Sequence, residues 1–398
     1  MQTEDQPTGS GGGSGGEDAE ASRPIAVSHE APPAPADPAK VAVLGAGSWG
    51  TVFAKVAADA ALAASRPADE LQTDSHGFRQ PSGDSVPAWT TILWGRDEEA
   101  MRRAARTRIN DRYFPQHRLP AALEITADVE AALTGADVVV LALPAQVLRG
   151  QLEQLSGLIE PSATLLSLAK GLERGTGQRM SEVISEVLPA HTERIAVLSG
   201  PNLAREIIQE QPTASVVAAR SPETAGLIAR VCAAPYFRPY TSSDVVGAEI
   251  GGLTKNVIAL CVGICEGRDL GDNSKASIMT RGLAETTRLA MALGARPETM
   301  AGLAGMGDLV ATCSSPLSRN HTAGRLLGAG LSEAEVAARM TQTAEGIKSA
   351  SVVRDLAARH GIEMPIVEAV TAILSGEVHV DQLQPLLLSR RLKAETPH

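Results

Sequence analysis

Short apolar segments alternate with helix-like segments from about residue 40 to residue 241 of the chain. Brief unbroken apolar runs are typical of strands buried on both faces, and the stretches between them have helical periodicity. Such alternation indicates an α/β fold with a doubly wound sheet of parallel strands. The predicted strands are residues 41–44, 90–94, 138–143, 164–169, 195–199 and 213–217.

Beyond residue 241 the strand pattern ends and apolar residues recur at helical spacing. We therefore expect two domains, a sheet domain over residues 39–241 and an all-helical domain over residues 242–398. The predicted helices of the second domain are residues 245–266, 275–293, 333–340, 347–359 and 365–374.

Two segments lie outside this pattern. Residues 1–38 are rich in Gly, Pro, Ser, Ala and acidic residues. They cannot bury enough apolar surface to offset the entropy lost on ordering, which predicts a disordered tail. Residues 65–87 are polar and contain three prolines, which indicates a surface insertion within the first domain.

Composition narrows the partners and the compartment. The formal net charge of −10 argues against a nucleic-acid or anionic-membrane partner. The longest apolar run, residues 257–265, is too short to span a bilayer, and the N-terminus has no apolar leader segment. The four cysteines have no metal-type spacing, so we expect a reducing, cytoplasmic setting, no stable membrane insertion and no metal.

A glycine-rich turn follows the first predicted strand. Gly45, Gly47 and Gly50 form G-x-G-x-x-G between residues 41–44 and a predicted helix over residues 51–64. The first glycine permits a tight turn, the second lets a pyrophosphate approach the backbone, and the third lets the helix pack on the strand. The helix N-terminus then attracts the phosphate charge. This context predicts a Rossmann-type dinucleotide site rather than a structural turn.

The residues after the second predicted strand bear on the choice of dinucleotide. An acidic residue at this place normally accepts hydrogen bonds from the ribose of NAD. Here Arg96 comes first and could pair with a 2′-phosphate, with Asp97 beside it. The pattern favours NADP and leaves NAD possible, and a surface arginine after a strand is the alternative.

Two lysines lie in apolar, glycine-bearing contexts. Lys170 ends a predicted strand at the ligand-binding edge of the sheet, and Lys255 lies within an apolar helix. A buried ammonium with a lowered pKa can exchange a proton, as reduction of a carbonyl requires. The alternative is that either lysine extends to the surface.

A polar cluster follows in the second domain. Asp308, in a glycine-rich turn, could orient a buried ammonium, or it could be a helix N-cap. Thr312, Arg319 and Asn320 offer a hydroxyl, a guanidinium and an amide that suit a phosphate monoester, or the segment from Ser318 could simply begin a helix. Residues 199–202 form a loop at the ligand edge, with Asn202 as either a site residue or a helix cap.

Taken together, these motifs resemble the bacterial-type glycerol-3-phosphate dehydrogenases that use a nicotinamide cofactor. The resemblance runs from about Val41 to the end of the chain. It rests on residues 45–51, 93–96, 110–120, 169–173, 199–201, 255–259, 272–276, 280–285, 307–309, 318–320 and 345–346.

The resemblance implies roles for single residues. Lys255 would be the general acid/base at the C2 oxygen of the substrate, oriented by Asp308, while Lys170 and Asn256 hold and polarise that end. The substrate phosphate would contact Thr312, Arg319 and Asn320. The residues expected to line the substrate site beside them are Gly200, Asn202 and Ser318. The cofactor contacts would be Ser48, Trp49, Arg96, Lys170, Ala204, Arg319 and Glu345.

The resemblance also implies an N-terminal Rossmann domain, a helical C-terminal domain, a cleft site between them and a homodimer. The implied reaction is reversible reduction of dihydroxyacetone phosphate to sn-glycerol 3-phosphate for phospholipid synthesis. The tail and the insertion are extra to the family pattern, and Asn202 replaces its usual Ser or Thr. Two alternatives remain. A related enzyme for another hydroxy acid or sugar phosphate would lack this phosphate pocket, and a nicotinamide sensor would not need Lys255 or Asp308.

Overall fold

The computed structural model describes residues 37–65, 72–73, 79–80, 86–340 and 344–388. Nearly all of the predicted tail and most of the predicted insertion lie outside these residues. The strands are β1 Lys40–Leu44, β2 Gln72–Thr73, β3 Arg79–Gln80, β4 Thr90–Trp94, β5 Leu123–Thr126, β6 Val138–Leu141, β7 Thr164–Ser167, β8 Ile195–Ser199, β9 Thr213–Ala219 and β10 Phe237–Ser242.

Helices precede, separate and follow these strands. In the first part of the chain they are α1 Ser48–Ala64, α2 Glu98–Thr107, α3 Val129–Leu133, α4 Leu148–Leu155, α5 Met180–Val187, α6 Ala204–Ile207 and α7 Pro222–Val231. In the second part they are α8 Val245–Gly267, α9 Asp272–Ala292, α10 Pro297–Ala301, α11 Asp308–Ser314, α12 Arg319–Gly328, α13 Glu333–Arg339, α14 Glu345–Arg359, α15 Pro365–Leu374 and α16 Leu383–Leu388.

Within the described residues, eight strands form one sheet in the order β10-β9-β8-β7-β6-β1-β4-β5. Alternate residues of β1 face opposite sides: Val41 and Val43 pack into one buried cluster, Ala42 and Leu44 into another. The predicted doubly wound α/β fold is confirmed. The prediction that all strands are parallel is wrong at one place, because β8 and β9 pair antiparallel.

The predicted strands are all present, but β5 and β10 were not predicted. Both lie at an edge of the sheet, and β10 has the sequence Phe-Arg-Pro-Tyr-Thr-Ser with little of it buried. An edge strand needs neither a continuous apolar run nor a free N–H at every residue, so the apolar pattern did not reveal it. The strands β2 and β3 form a separate antiparallel pair inside the predicted insertion.

The second part is helical, as predicted, and is built around α8, which is buried along almost its whole length. By length and composition α8 could span a bilayer, but 89% of its most apolar window is buried within the protein. α8 is longer than residues 257–265, the apolar run that the sequence analysis judged too short to span a bilayer. Its burial is that of a core helix. All four cysteines are buried and free.

Glycines bring α8 and α12 unusually close together. A Cβ at Gly263 or Gly267 of α8 would overlap backbone carbonyl oxygens of α12, and one at Gly324 or Gly328 of α12 would overlap carbonyl oxygens of α8. This reciprocal contact fixes the N-terminus of α12 beside the middle of α8. The sheet and the helices also share a small buried cluster of Val197, Ala218, Ala248 and Ala304. The domain boundary at residue 241 stays a prediction.

Candidate functional site

The glycine turn has the backbone that its sequence predicts. Gly45 has φ of +116°, a conformation that favours glycine. A Cβ at Gly50 would overlap the carbonyl oxygen of Gly45, so the helix can pack on the strand only without a side chain there. At Gly47, the N-cap of α1, a Cβ would meet no atom within 4 Å. The backbone at that position is open to an approaching group.

Asn110 supports the turn from a neighbouring segment. Its Nδ2 donates to the Ala46 carbonyl at 3.0 Å and to Thr51 Oγ1 at 2.8 Å. Residues 110–120 entered the sequence analysis only through the family resemblance. The bridging role of Asn110 had no local signal, because its two partners lie about sixty residues earlier in the chain.

The N-terminus of α1 suits an anionic ligand. No side chain caps it and its first turn has no acidic residue, so its first N–H groups and its positive dipole end are not neutralised locally. Ser48 and Trp49 lie in this first turn, and the indole of Trp49 packs edge-on against Phe53 with centroids 6.1 Å apart. Among the described residues the buried Trp49 Nε1 has no acceptor. These features fit the phosphates of a dinucleotide.

Arg96 and Asp97, after β4, have different settings. The Asp97 carboxylate accepts a hydrogen bond from the Ala100 N–H at 3.0 Å and caps α2. The side chain of Arg96 is exposed. The carboxylate is therefore engaged in holding its helix, whereas the side chain of Arg96 is open to solvent.

A single buried carboxylate joins the two predicted lysines. Lys170 Nζ lies 2.6 Å from Asp308 Oδ2, and Lys255 Nζ contacts Asp308 Oδ1. The side chains of Lys255 and Asp308 are only 11% and 1% exposed, so neither extends to the surface. Lys255 also donates to Thr312 Oγ1 at 2.8 Å, and Lys170 donates to the Gly200 carbonyl at 3.0 Å. We call these five residues the lysine cluster.

The buried setting of Lys170 changes its pKa. Desolvation lowers the pKa of Lys170 to about 8, against the attraction of Asp308 and with a further lowering from the charge of Lys255. The carboxylate of Glu345 acts in the raising direction, which places it near enough to be felt by this ammonium. Lys170 therefore changes its charge close to physiological pH.

The local fold explains how the lysine cluster forms. Lys170 follows β7, whereas Asp308 directly follows a π-helical turn, Leu303–Gly307, and begins α11. Asp308 is therefore not the N-cap that was its alternative, since Gly307 holds that position. On α8, a Cβ at Gly251 would overlap the Ala304 carbonyl oxygen, and one at Gly252 would overlap Ser199 Oγ and lie 3.4 Å from the Lys170 stem. Small residues on α8 thus allow elements from both parts of the chain to meet.

A second polar network lies on α8 and α12. Asn320 Nδ2 donates to Asn256 Oδ1 at 2.8 Å, and Asn320 Oδ1 accepts from the Gly346 N–H at 2.8 Å. Ser318 accepts from the His321 N–H at 3.2 Å and caps α12, as the helix-start alternative predicted. Asn320 therefore links α12 to Asn256 on α8 and to Gly346 on α14.

The loop after β8 lies beside Lys170. Gly200 has φ of +127°, and Asn202 Nδ2 donates to Ser215 Oγ at 3.1 Å. Ser215 Oγ in turn donates to the Ser199 carbonyl at 2.7 Å, so it can only accept from Asn202. The amide orientation of Asn202 is thereby determined. Asn202 is not a helix cap, because Leu203 is the N-cap of α6 and no side chain caps that helix.

The other predicted site residues lie at helix starts. Ala204 begins α6 and is half-buried, whereas Arg319 begins α12 and Glu345 begins α14, both exposed. The structure thus joins Lys170, Lys255, Asp308, Thr312 and Gly200 in one network, and Asn256 and Asn320 in the other. Sequence reasoning missed Ser215, which holds Asn202, and placed Gly346 in a family motif without its contact to Asn320, because both residues act through contacts distant in sequence.

Comparisons with known proteins match both the sheet part and the helical part of the chain. Models of the N-terminus and the C-terminus of NAD-dependent glycerol-3-phosphate dehydrogenase match residues 40–225 and 244–384. A Thermobifida fusca protein named glycerol-3-phosphate dehydrogenase (NAD(P)+) is 49% identical over 356 residues, 89% of this chain and 98% of the relative. A Nocardia farcinica protein of the same name is 50% identical over 362 residues, 89% of this chain and 99% of the relative.

A solved structure with the same fold is the glycerol-3-phosphate dehydrogenase of Coxiella burnetii, with a TM-score of 0.77 and 31% identity. The match covers 89% of this chain and 99% of that chain. Sequence and structure comparisons therefore match both the sheet part and the helical part.

Proposed function

The chain belongs to the NAD-dependent glycerol-3-phosphate dehydrogenase family, and from this premise we propose that it interconverts dihydroxyacetone phosphate and sn-glycerol 3-phosphate with NADPH or NADH. The observation that carries the proposal is the pair of buried lysines sharing the Asp308 carboxylate. Such a pair can bind and protonate an oxygen that becomes negative during reduction, and it lies beside a loop and helix starts suited to a phosphorylated substrate.

The phosphate end of the substrate is held at the start of α12. Arg319 supplies a charged fork and Asn320 an amide that is already oriented by Asn256 and Gly346. Thr312 offers a hydroxyl one helical turn after Asp308. Ser318 lines the same side, and Gly200 and Asn202 line the other. The substrate is thereby oriented with its carbonyl toward the lysine cluster.

The proton moves at the C2 oxygen. Lys255 holds a proton there, with its ammonium aimed by Asp308 and Thr312, and releases it as negative charge develops. Lys170 remains cationic below a pH of about 8 and stabilises the same oxygen electrostatically. When bound, the reduced nicotinamide supplies the hydride for C2. In the reverse direction Lys255 takes the proton from the alcohol.

The cofactor would be held by Gly45, Gly47 and Gly50 at the start of α1, together with Ser48 and Trp49. On the ribose side Arg96 favours NADPH over NADH, since a 2′-phosphate gives its guanidinium a charged partner. Further contacts would come from Lys170, Ala204, Arg319 and Glu345.

The decisive experiment follows oxidation of NADPH and, separately, NADH by the purified protein, with and without dihydroxyacetone phosphate. We expect oxidation that depends on the substrate, with the higher kcat/KM for NADPH. Cofactor binding without turnover would contradict the proposal and would direct attention to another phosphorylated or acidic carbonyl compound, or to a sensor.

Removing the exposed arginine after β4 tests the cofactor preference. Arg96→Ala should lower kcat/KM for NADPH about 10- to 100-fold, the effect of losing a charged hydrogen bond, and change that for NADH little. Arg102→Ala is the control, because Arg102 is also exposed, on α2, and pairs with Glu98 at 3.4 Å. Equal losses for both cofactors would remove Arg96 from the reading of the 2′-phosphate.

Removing the arginine at the start of α12 tests phosphate recognition. Arg319→Ala should raise the KM for dihydroxyacetone phosphate about 10- to 100-fold, because a charged contact to the phosphate is lost. Arg325→Ala is the control on the same helix, where Arg325 lies 3.6 Å from Glu266. An unchanged KM in Arg319→Ala would assign the phosphate to other residues.

We also propose that the enzyme works in the cytoplasm, supplies sn-glycerol 3-phosphate for phospholipid synthesis and forms a homodimer. The family resemblance supports these proposals, and the burial of α8 within the protein agrees with a chain that does not insert into membranes. Sedimentation of the purified protein tests the dimer.

A further inference from the structure

The loop that carries Lys170 returns on itself to Arg179. Leu172 and Arg179 form an antiparallel bridge, and the Glu173 N–H donates to the Gln178 carbonyl at 2.9 Å. We call residues 170–179 the lysine loop. Because its two ends are bridged, the position of Arg179 constrains the position of Lys170.

One side of the lysine loop is fixed to the sheet part. Arg149 of α4 donates to both carboxylate oxygens of Glu173, at 2.8 and 3.0 Å, and to Gln178 Oε1 at 2.8 Å. Gln146 donates to the Leu172 carbonyl at 2.8 Å. These contacts hold the lysine loop to the sheet part of the chain. They do not fix the distance between the loop and α8.

The other side is fixed to α8 by one buried carboxylate. Glu249 accepts from Arg179 Nη1 at 2.7 Å, from the Ser181 N–H at 2.9 Å and from Ser181 Oγ at 2.6 Å. The side chains of Arg179 and Glu249 are 14% and 8% exposed. Leu172 also packs into the buried cluster of the helical part. The loop is thus docked onto the helix that carries Lys255.

We propose that Glu249 is a positioning residue for the reaction: through Arg179 and Ser181 it sets the lysine loop against α8 and so sets Lys170 relative to Lys255. The inference rests on the proposed function. Glu249 precedes Lys255 by six residues, about 9 Å along the helix axis. Between them lies Gly252, where a Cβ would come within 3.4 Å of the Lys170 stem. A change at Glu249 therefore alters the spacing of the two lysines around Asp308 without touching the substrate.

A charged pair suits this role because its hydrogen bonds are directional. Apolar contacts alone would hold the loop on α8 but would allow it to slide, whereas three donors on one carboxylate fix its register. Removing one partner leaves the other charge buried and unpaired. A single variant would therefore both destabilise the protein and misplace the lysine loop. A double variant that removes both charges separates the two effects.

The test compares four variants with the parent for NADPH-dependent reduction of dihydroxyacetone phosphate. Glu249→Ala should lower kcat about 10- to 100-fold with a smaller change in KM, the penalty of misplacing a catalytic group by about 1 Å. Glu249→Gln keeps an acceptor oxygen and should retain most of the parent kcat. The double variant Arg179→Met with Glu249→Leu should regain thermal stability but not turnover. Glu285→Ala is the matched control.

Glu285 suits this purpose because it is another buried glutamate, on α9, that accepts the N–H of Ile366 near the start of α15 at 3.1 Å. Its loss should lower the Tm and leave kcat nearly unchanged. The pH profile gives an independent readout. Lys170 is faced by Asp308, Lys255 and Glu345, and burial holds its pKa at about 8. A loosened loop admits water, so in Glu249→Ala the fall in kcat/KM near pH 8 should move to higher pH.

Three results would overturn the inference. They are a kcat for Glu249→Ala that matches that of the Glu285→Ala control, a pH profile that does not move, or recovery of turnover together with stability in the double variant. Failure of the proposed function is distinguishable, because it would appear in the parent protein as the absence of turnover of dihydroxyacetone phosphate.

Discussion

Lys255→Ala should lower kcat about 10²- to 10⁴-fold, the range typical of losing a general acid. The ammonium of Lys255 is buried and aimed by Asp308 and Thr312, so its removal takes away the positioned proton donor of the site. Because Lys170 still neutralises Asp308, the variant keeps a paired carboxylate and should fold and bind cofactor. Steady-state kinetics and cofactor titration measure the two effects separately.

Lys255→Arg is the matched variant for this prediction. A guanidinium keeps the positive charge opposite Asp308 but cannot release a proton in a protein. If charge alone mattered, Lys255→Arg would retain most of the activity. We expect it to be nearly as slow as Lys255→Ala, and turnover near the parent rate in either variant would remove Lys255 from proton transfer.

The parts of the fold that the sequence predicted are those where burial alone decides the pattern of apolar residues. Central strands such as β6 and β7 are buried at every residue and read as unbroken apolar runs. The edge strand β10 and the antiparallel β8–β9 pairing were missed, because edges tolerate polar residues and pairing direction depends on the connections. Helix α12 was predicted only as an alternative, from its start at Ser318. Its glycines and small residues lower helix propensity locally but permit its close contact with α8.

The candidate site was predictable as a set of residue types but not as an arrangement. Lys170, Lys255 and Asp308 were identified from their apolar, glycine-bearing surroundings and from family motifs. One carboxylate bridges both lysines only because three segments of the chain meet at one point. Lys170 and Asp308, the most distant of these residues, are 138 residues apart in sequence. The roles of Ser215 and Glu249 arise only from such tertiary contacts, and neither residue has an unusual local sequence.

Asp308→Asn should produce the second large effect, on stability as well as on turnover. The substitution keeps the shape of the side chain but leaves Lys170 and Lys255 without their shared counter-ion. Breaking a buried ion pair by removing one partner costs about 3–5 kcal/mol of the free energy of unfolding at neutral pH. Turnover should fall with it, because neither ammonium keeps the carboxylate that orients it.

The pH dependence of the lost stability shows whether Asp308 stabilises the fold through its charge or through its packing. Asp308 raises the pKa of Lys170, so its removal pushes that pKa below about 8, farther from the ordinary value of 10.5 in the unfolded chain. Between these values the unfolded variant binds more protons than the folded one, and its stability therefore rises with pH. The difference in free energy of unfolding between parent and Asp308→Asn, measured by urea denaturation from pH 6 to pH 10, should shrink as the pH rises to about 8 and level off above it, because Lys170 is then neutral in both folded proteins. A difference that stays constant across this range would mean that Asp308 acts through packing, and the paired-lysine account of the site would be wrong.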